Sequence, residues 1–147
     1  MLSIPDLPFV DSSTAASDRS APEAHAMQYL ILIYSEEGSG PPDPERVGGV
    51  MVEYDAYSKM LRDRGAFVAG DALWPTSSAT TVRLRDGKTV MTDGPFAETK
   101  EALGGYYQIE AKDLDEALEL AAACPGARWG SVEVRPIVDF AAGQVPG

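Results

Sequence analysis

The chain has one cysteine and one histidine in 147 residues, and that scarcity removes whole classes of chemistry. Cys124 has no second cysteine with which to form an intramolecular disulfide, which fits a reducing, cytoplasmic setting. No His/Cys cluster stands at metal-ligand spacing, so no metal is expected. The one histidine, His25, lies in a segment without periodicity, whereas a general base must be held within hydrogen-bond reach of its proton. Cys124 precedes Pro125 at an expected helix C-terminus, where the macrodipole disfavours a thiolate, and an inert buried thiol is expected there. Basic residues are also scarce. Twelve Lys and Arg against 23 Asp and Glu leave a net charge of −11, which argues against nucleic acid and anionic membrane as partners. No apolar run approaches the roughly 20 residues of a membrane-spanning helix. GSGPPDP lacks the lysine and spacing of a phosphate-cradling loop and GDALWP is no dinucleotide fingerprint, so no cofactor is expected.

What is present reads as one domain, with 44% hydrophobic residues to build its core. Residues 1–26 are rich in Ser, Ala, Pro and Asp and read as a disordered extension, with Met27 as the start of the fold and an alternative start of the chain. They lack the basic and apolar regions of a secretory signal. The domain is expected over 27–138, followed by a polar tail at 139–147. Residues 28–34, QYLILIY, form a buried strand that ends in EEGSGPPDP. Asp43 caps a long helix with Pro44 at its first position, and Val47, Val50, Met51, Tyr54 and Leu61 recur at helical spacing up to Gly65. Residues 66–73 are a second strand, and ATTVRLR, Asp86-Gly87 and KTVMT form a hairpin with a tight turn. Residues 106–110 are another strand. Asp113 caps a second helix, with Glu116 three residues on and Leu114, Ala117, Leu118 and Ala121 as its apolar stripe. Pro125 and Gly126 stop it, and SVEVRPIV is the last strand.

This order implies an α+β, ferredoxin-like split βαβ sandwich with an extra β-hairpin, its antiparallel sheet carrying two helices on one face. The other face is left bare. By alternation, Val82, Leu84, Tyr107, Ile109, Val132 and Val134 point to the helices, while Thr81, Arg83, Arg85, Tyr106, Gln108, Glu110, Glu133 and Arg135 line the bare face. Cross-strand charge pairs are expected among Arg83, Glu133 and Arg135. Such a face is either ion-paired or ligand-contacting, and its Arg and Tyr content favours pairing with a second copy.

The motif TDGPFAETKEALGG, residues 92–105, reads first as structure. Asp93-Gly94-Pro95 gives a stiff exit from the hairpin, with the Asp93 carboxylate accepting backbone N–H groups. Phe96 anchors the corner in the core, and residues 97–103 form a short helical turn closed by Gly104 and Gly105 at positive φ. Glu98, Lys100 and Glu101 are left without a structural task. A paired-carboxylate mechanism would draw on Asp71, Asp93 or Glu98.

QYLILIYSEE, TTVRLRDGKTVMTDGPFAETKEALGGYYQIEAKDLDEALELAAACP and GSVEVRPI together resemble the YCII-related, DGPF-domain family of small bacterial proteins. The resemblance covers about all of residues 27–138. It implies a ferredoxin-like fold that dimerises sheet face to sheet face, in the manner of dimeric α/β barrels, with a cleft in each protomer. Family members are often encoded beside sigma-factor genes of the extracytoplasmic-function group. Relatives in the wider superfamily carry a His/Asp pair in the cleft and include enzymes acting on small aromatic compounds. This chain lacks that histidine beyond residue 27, which leaves Asp71 or Asp93 as the surviving acid.

Two expectations follow. One is a homodimer whose cleft binds or transforms a small organic molecule, with Arg83 and Arg135 holding an anion, Lys100 as a further ligand-binding residue, Trp74 and Tyr106 as apolar walls, and Asp93 or Glu98 as the polar group. The other is a non-catalytic sensor or partner protein linked to a sigma-factor regulatory system. A close carboxylate pair in an enclosed pocket favours the enzyme; acids that are paired or exposed favour the binder.

Overall fold

The run QYLILIY lies at the heart of the sheet in a computed structural model that describes residues 26–38 and 44–146. It belongs to β1 (Met27–Ser35), followed by α1 (Pro44–Asp63), β2 (Phe67–Ala72), β3 (Thr80–Arg85), β4 (Lys88–Asp93), β5 (Ala102–Ala111), α2 (Leu114–Ala122) and β6 (Ser131–Pro136). Pro44 opens α1 as expected, while Asp43 and His25 lie outside the described residues. The main sheet has the order β2-β5-β1-β6, every neighbour antiparallel. β5 therefore separates β1 from β2, and β1 separates β5 from β6. That is the interleaving of a split βαβ sandwich.

Alternation sorts the main sheet as the sequence predicts. Tyr29, Ile31 and Ile33 of β1 and Tyr107, Ile109 and Ala111 of β5 are buried with Tyr54, Tyr57 and Leu61 of α1 and Ala117, Leu120 and Ala121 of α2. Val132 and Val134 pack against this cluster from β6. Tyr107 organises it: its ring stacks on Tyr54 at 6.5 Å and meets Tyr57 edge-on at 5.2 Å and Phe67 at 6.3 Å. Such aromatic pairs add about 0.5–1.5 kcal/mol each beyond area burial. The polar ends are satisfied. The Tyr107 hydroxyl lies 2.9 Å from Ser58 Oγ, and the Tyr57 hydroxyl donates to the Leu120 carbonyl at 2.8 Å.

At the start of α2, Asp113 Oδ1 accepts the Glu116 N–H at 2.9 Å, and Glu116 Oε1 accepts the Lys112 N–H at 3.0 Å. These two bonds satisfy orphan donors on either side of the cap. The stripe of α2 is turned from the expected one, because Leu120 is buried whereas Leu114 and Leu118 remain 49% and 47% exposed. Helical spacing alone does not fix which edge of the stripe meets the sheet.

The hairpin departs most from expectation. β3 and β4 pair only with each other, through Thr81↔Thr92, Val82↔Met91 and Leu84↔Thr89. Its turn is as predicted, with Asp86 at φ 51° and Gly87 at φ 74°, as a type I′ turn requires. Its position is not. Residues 73–79, with Pro75 and a 3₁₀ turn at Thr76–Ser78, carry the chain off the edge of β2, so β3 does not extend the sheet. Val82 and Leu84 consequently do not face the helices, and Arg83 and Arg85 do not share the bare face with Arg135. The expected charge pairing of Arg83 with β6 is corrected with them.

Phe96 is 78% exposed rather than a core anchor. Residues 97–101 form no helical turn, and Gly104 and Gly105 lie inside β5, neither with positive φ. Their work is different. The β1–β5 register slips between Ile33↔Gly105 and Tyr34↔Leu103, leaving Gly104 as a bulge. A Cβ on Gly105 would stand 3.0 Å from the Asp71 carbonyl, so the close approach of β2 needs that glycine.

At the C-terminal end, the Ile137 N–H donates to the Gln28 carbonyl at 2.9 Å, and Asp139 caps a 3₁₀ turn at Phe140–Ala142. Among the described residues, no helix is long and apolar enough to cross a membrane.

Candidate functional site

Where β1 ends and β5 begins, a cavity of about 220 Å³ lies between the sheet and α1. Ile33 and Ser35 of β1, Val50 and Tyr54 of α1, Ala72 of β2 and residues 102–105 of β5 form its walls. Leu73, Trp74 and Pro75, just past β2, and Trp129, just before β6, close the rim with Glu37. The backbone makes this space. Gly104, at the bulge, and Gly105 line it without side chains.

The two rim tryptophans are the only ones in the chain. Trp74 leaves 64% of its surface in water and Trp129 leaves 45%, a large apolar exposure for residues that normally bury their rings. Arg128 fixes Trp129 from outside, its guanidinium 5.2 Å from the indole centroid and 2.7 Å from Glu53 Oε2. Tyr54 lies deeper, 5% exposed, and burial pushes its hydroxyl pKa well above the usual value, with Cys124 and Tyr107 adding to the rise. It remains a neutral wall.

Glu37 is the one charged side chain among the described lining residues. Its two oxygens accept the Thr76 N–H at 3.2 and 3.1 Å, and Oε2 also accepts the Thr76 hydroxyl at 3.2 Å. The carboxylate is thereby held at the mouth by the 3₁₀ turn that follows β2.

The residues singled out by sequence fall in four places. Trp74 lines the cavity. Asp71, Tyr106 and Arg135 lie on the open sheet face, where the Tyr106 hydroxyl donates to Asp71 Oδ2 at 2.7 Å. That bond, more than burial, raises the Tyr106 pKa. Asp93 and Arg83 belong to the hairpin, and Glu98 and Lys100 are exposed on the connection into β5. Neither Asp93, Glu98 nor Asp71 lines the cavity.

The open face also carries a neutral contact, Gln108 Nε2 donating to Gln28 Oε1 at 2.5 Å, and a second tyrosine–carboxylate bond, Tyr34 to Glu133. Burial first and then Glu133 raise the Tyr34 pKa, with Arg135 opposing. Cys124 is buried, and burial pushes its thiol up as expected for an inert cysteine. Among the described residues no group of three or more His, Cys, Asp or Glu is placed to hold a metal. Tyr54, Trp129 and Glu37 were not singled out for the site; the signal available was that Trp129 is the partner of Trp74 in a chain with two tryptophans.

The chain matches the YCII-related domain family over residues 27–141. It is also 37% identical over 123 residues to an uncharacterised protein of Rhizobium meliloti (strain 1021), an alignment covering 82% of this chain and 99% of that protein. With its interleaved sheet, its two helices and a family match over most of its length, the chain belongs to the YCII-related domain family.

Proposed function

We propose that the protein binds a small, mainly apolar organic molecule in the cavity at the end of the sheet, and that it does so as a homodimer. The observation that carries the first half is the pair of water-exposed tryptophans at the rim of a mainly apolar cavity. Drug-sized ligands occupy clefts of about 300–1,000 Å³, so a cavity of about 220 Å³ suits a single small ring. Binding is favoured over catalysis because Glu37, the carboxylate on the described lining, is engaged by Thr76, and the other candidate acids stand elsewhere. A ligand that covers the tryptophans changes their emission. Titration with neutral single-ring compounds such as benzyl alcohol is expected to shift that emission, and Trp129→Ala to weaken binding about tenfold, as loss of an aromatic anchor does. Unchanged emission and no heat of binding at millimolar ligand would sink the reading.

The second half is supported by the hairpin and the open face. A two-stranded hairpin is marginal in water without a third strand or a packing surface. One face of this one carries Val82, Leu84 and Met91, exposed by 62%, 67% and 70%, and the other carries Arg83, Arg85 and Lys88. On a chain of net charge −11, that basic face is complementary to a second copy. Asp71, Tyr106 and Arg135 then meet the partner rather than the ligand. Light scattering after gel filtration is expected to give twice the chain mass, and a monomer at micromolar concentration refutes the assembly. A ligand-reading sensor, non-catalytic and coupled to a regulatory partner, is the biological role most consistent with such a site.

A further inference from the structure

We infer that the ligand of the cavity is a small organic ammonium ion, with the positive charge at the mouth and an apolar body inside. This rests on the cavity being a binding site, and it adds the sign of the ligand's charge. Three aromatic side chains, Tyr54, Trp74 and Trp129, line the same space, and Trp129 already holds one cation, the Glu53-paired Arg128 guanidinium 5.2 Å from its ring centroid. The faces of such rings are negative and attract cations, and Trp does so best. Beside them stands Glu37, the one charged group among the described lining residues. No cation pairs with it in a salt bridge among the described residues. Its two partners are the N–H and hydroxyl of Thr76. A carboxylate offers about four acceptor directions, so these two donors leave room for a third, from an ammonium N–H. Thr76 also fixes the carboxylate in advance, which lowers the ordering cost of binding. An anion in the same place would meet the carboxylate and the ring faces with the wrong sign. The remaining walls, Ile33 and Val50 among them, present hydrocarbon to the body of the ligand.

Three soluble probes of nearly equal size separate charge from shape: benzylammonium, benzyl alcohol and benzoate, positive, neutral and negative at pH 7. Since both tryptophans of the chain line the cavity, intrinsic emission excited beyond the absorbance of the probes reports occupancy directly, with calorimetry as the second readout. Benzylammonium is expected to bind about tenfold more tightly than benzyl alcohol, the scale of a partly desolvated cation over aromatic rings, and benzoate more weakly than either. Glu37→Gln is expected to bring the affinity for benzylammonium down toward that for benzyl alcohol measured on the same variant, and raising salt to narrow the preference in the wild-type chain. Benzyl alcohol or benzoate binding as tightly as benzylammonium would overturn the charge assignment while leaving the cavity a binding site. Failure of all three to bind would overturn the site itself. The probe series is run on the wild-type chain, so the outcome does not depend on the variant folding.

Discussion

Ile31 and Tyr107 face each other across β1 and β5 with no exposed surface, whereas Val82 and Met91 face each other across β3 and β4 with 62% and 70% of theirs exposed. Both pairs come from strands with the same antiparallel geometry. The sandwich finds its cover within the chain, in α1 and α2. The hairpin finds none among the described residues. Period-two patterning therefore tells which residues share a face, not whether anything lies on it.

Removing the centre of the sandwich has the largest expected effect. Tyr107→Ala deletes a ring with three aromatic neighbours and leaves Ser58 without its buried partner, and is expected to cost about 3–5 kcal/mol in urea unfolding. A loss below 1 kcal/mol would mean the core is not organised around that ring.

Alkali tests the same core without mutation. Burial raises Tyr107 to about 12 and pushes Tyr54, Tyr57 and Cys124 above their ordinary values of 10.0 and 9.0. The unfolded chain releases these protons first, so rising pH favours it. Stability is full below about pH 9 and falls progressively above pH 10. Thermal melts between pH 7 and 12 follow this, and a flat profile speaks against buried neutral tyrosines.

Asp113→Ala removes the cap of α2 and is expected to cost about 1 kcal/mol, recovered in large part by Asp113→Ser. Gly48→Ala, in the second turn of α1 with open space where a Cβ would sit, is expected to add about 0.5–1 kcal/mol. The smallest effect on stability belongs to the hairpin. If the hairpin forms the proposed dimer, Leu84→Asp with Met91→Asp is expected to leave the unfolding free energy of the single chain within about 0.5 kcal/mol, as exposed positions do, yet to lower the mass in solution to that of one chain. An undiminished mass would locate the interface elsewhere.

The sandwich was legible because its signals are local. Pro44, Asp113 with Glu116, the Asp86-Gly87 turn and the alternation of β1 and β5 each specify their own few residues. The hairpin's placement depends on how residues 73–79 leave the edge of β2, a tertiary matter that strand propensity does not encode. The glycine pair misled for a related reason: Gly104-Gly105 reads equally as a helix stop and as a bulge, and only the approach of β1 and β2 decides between them. The cavity gathers Glu37, Tyr54, Trp74 and Trp129 from four separate segments. Only Trp74 could be proposed from sequence, and the acids Asp71, Asp93 and Glu98, conspicuous in sequence, lie outside it.

The interleaved sheet also bears on how the protein is made. β1 is the first strand synthesised, but its partner strands are β5, which starts at Ala102, and β6, which starts at Ser131. Until those segments leave the ribosome, QYLILIY is a β-prone, uncharged apolar strand with both edges open. Such segments are where nascent chains aggregate. A strand from the centre of the finished sheet is thus the one left longest without a partner during its birth, and expression at low temperature or with chaperones is the condition under which this chain should accumulate in folded form.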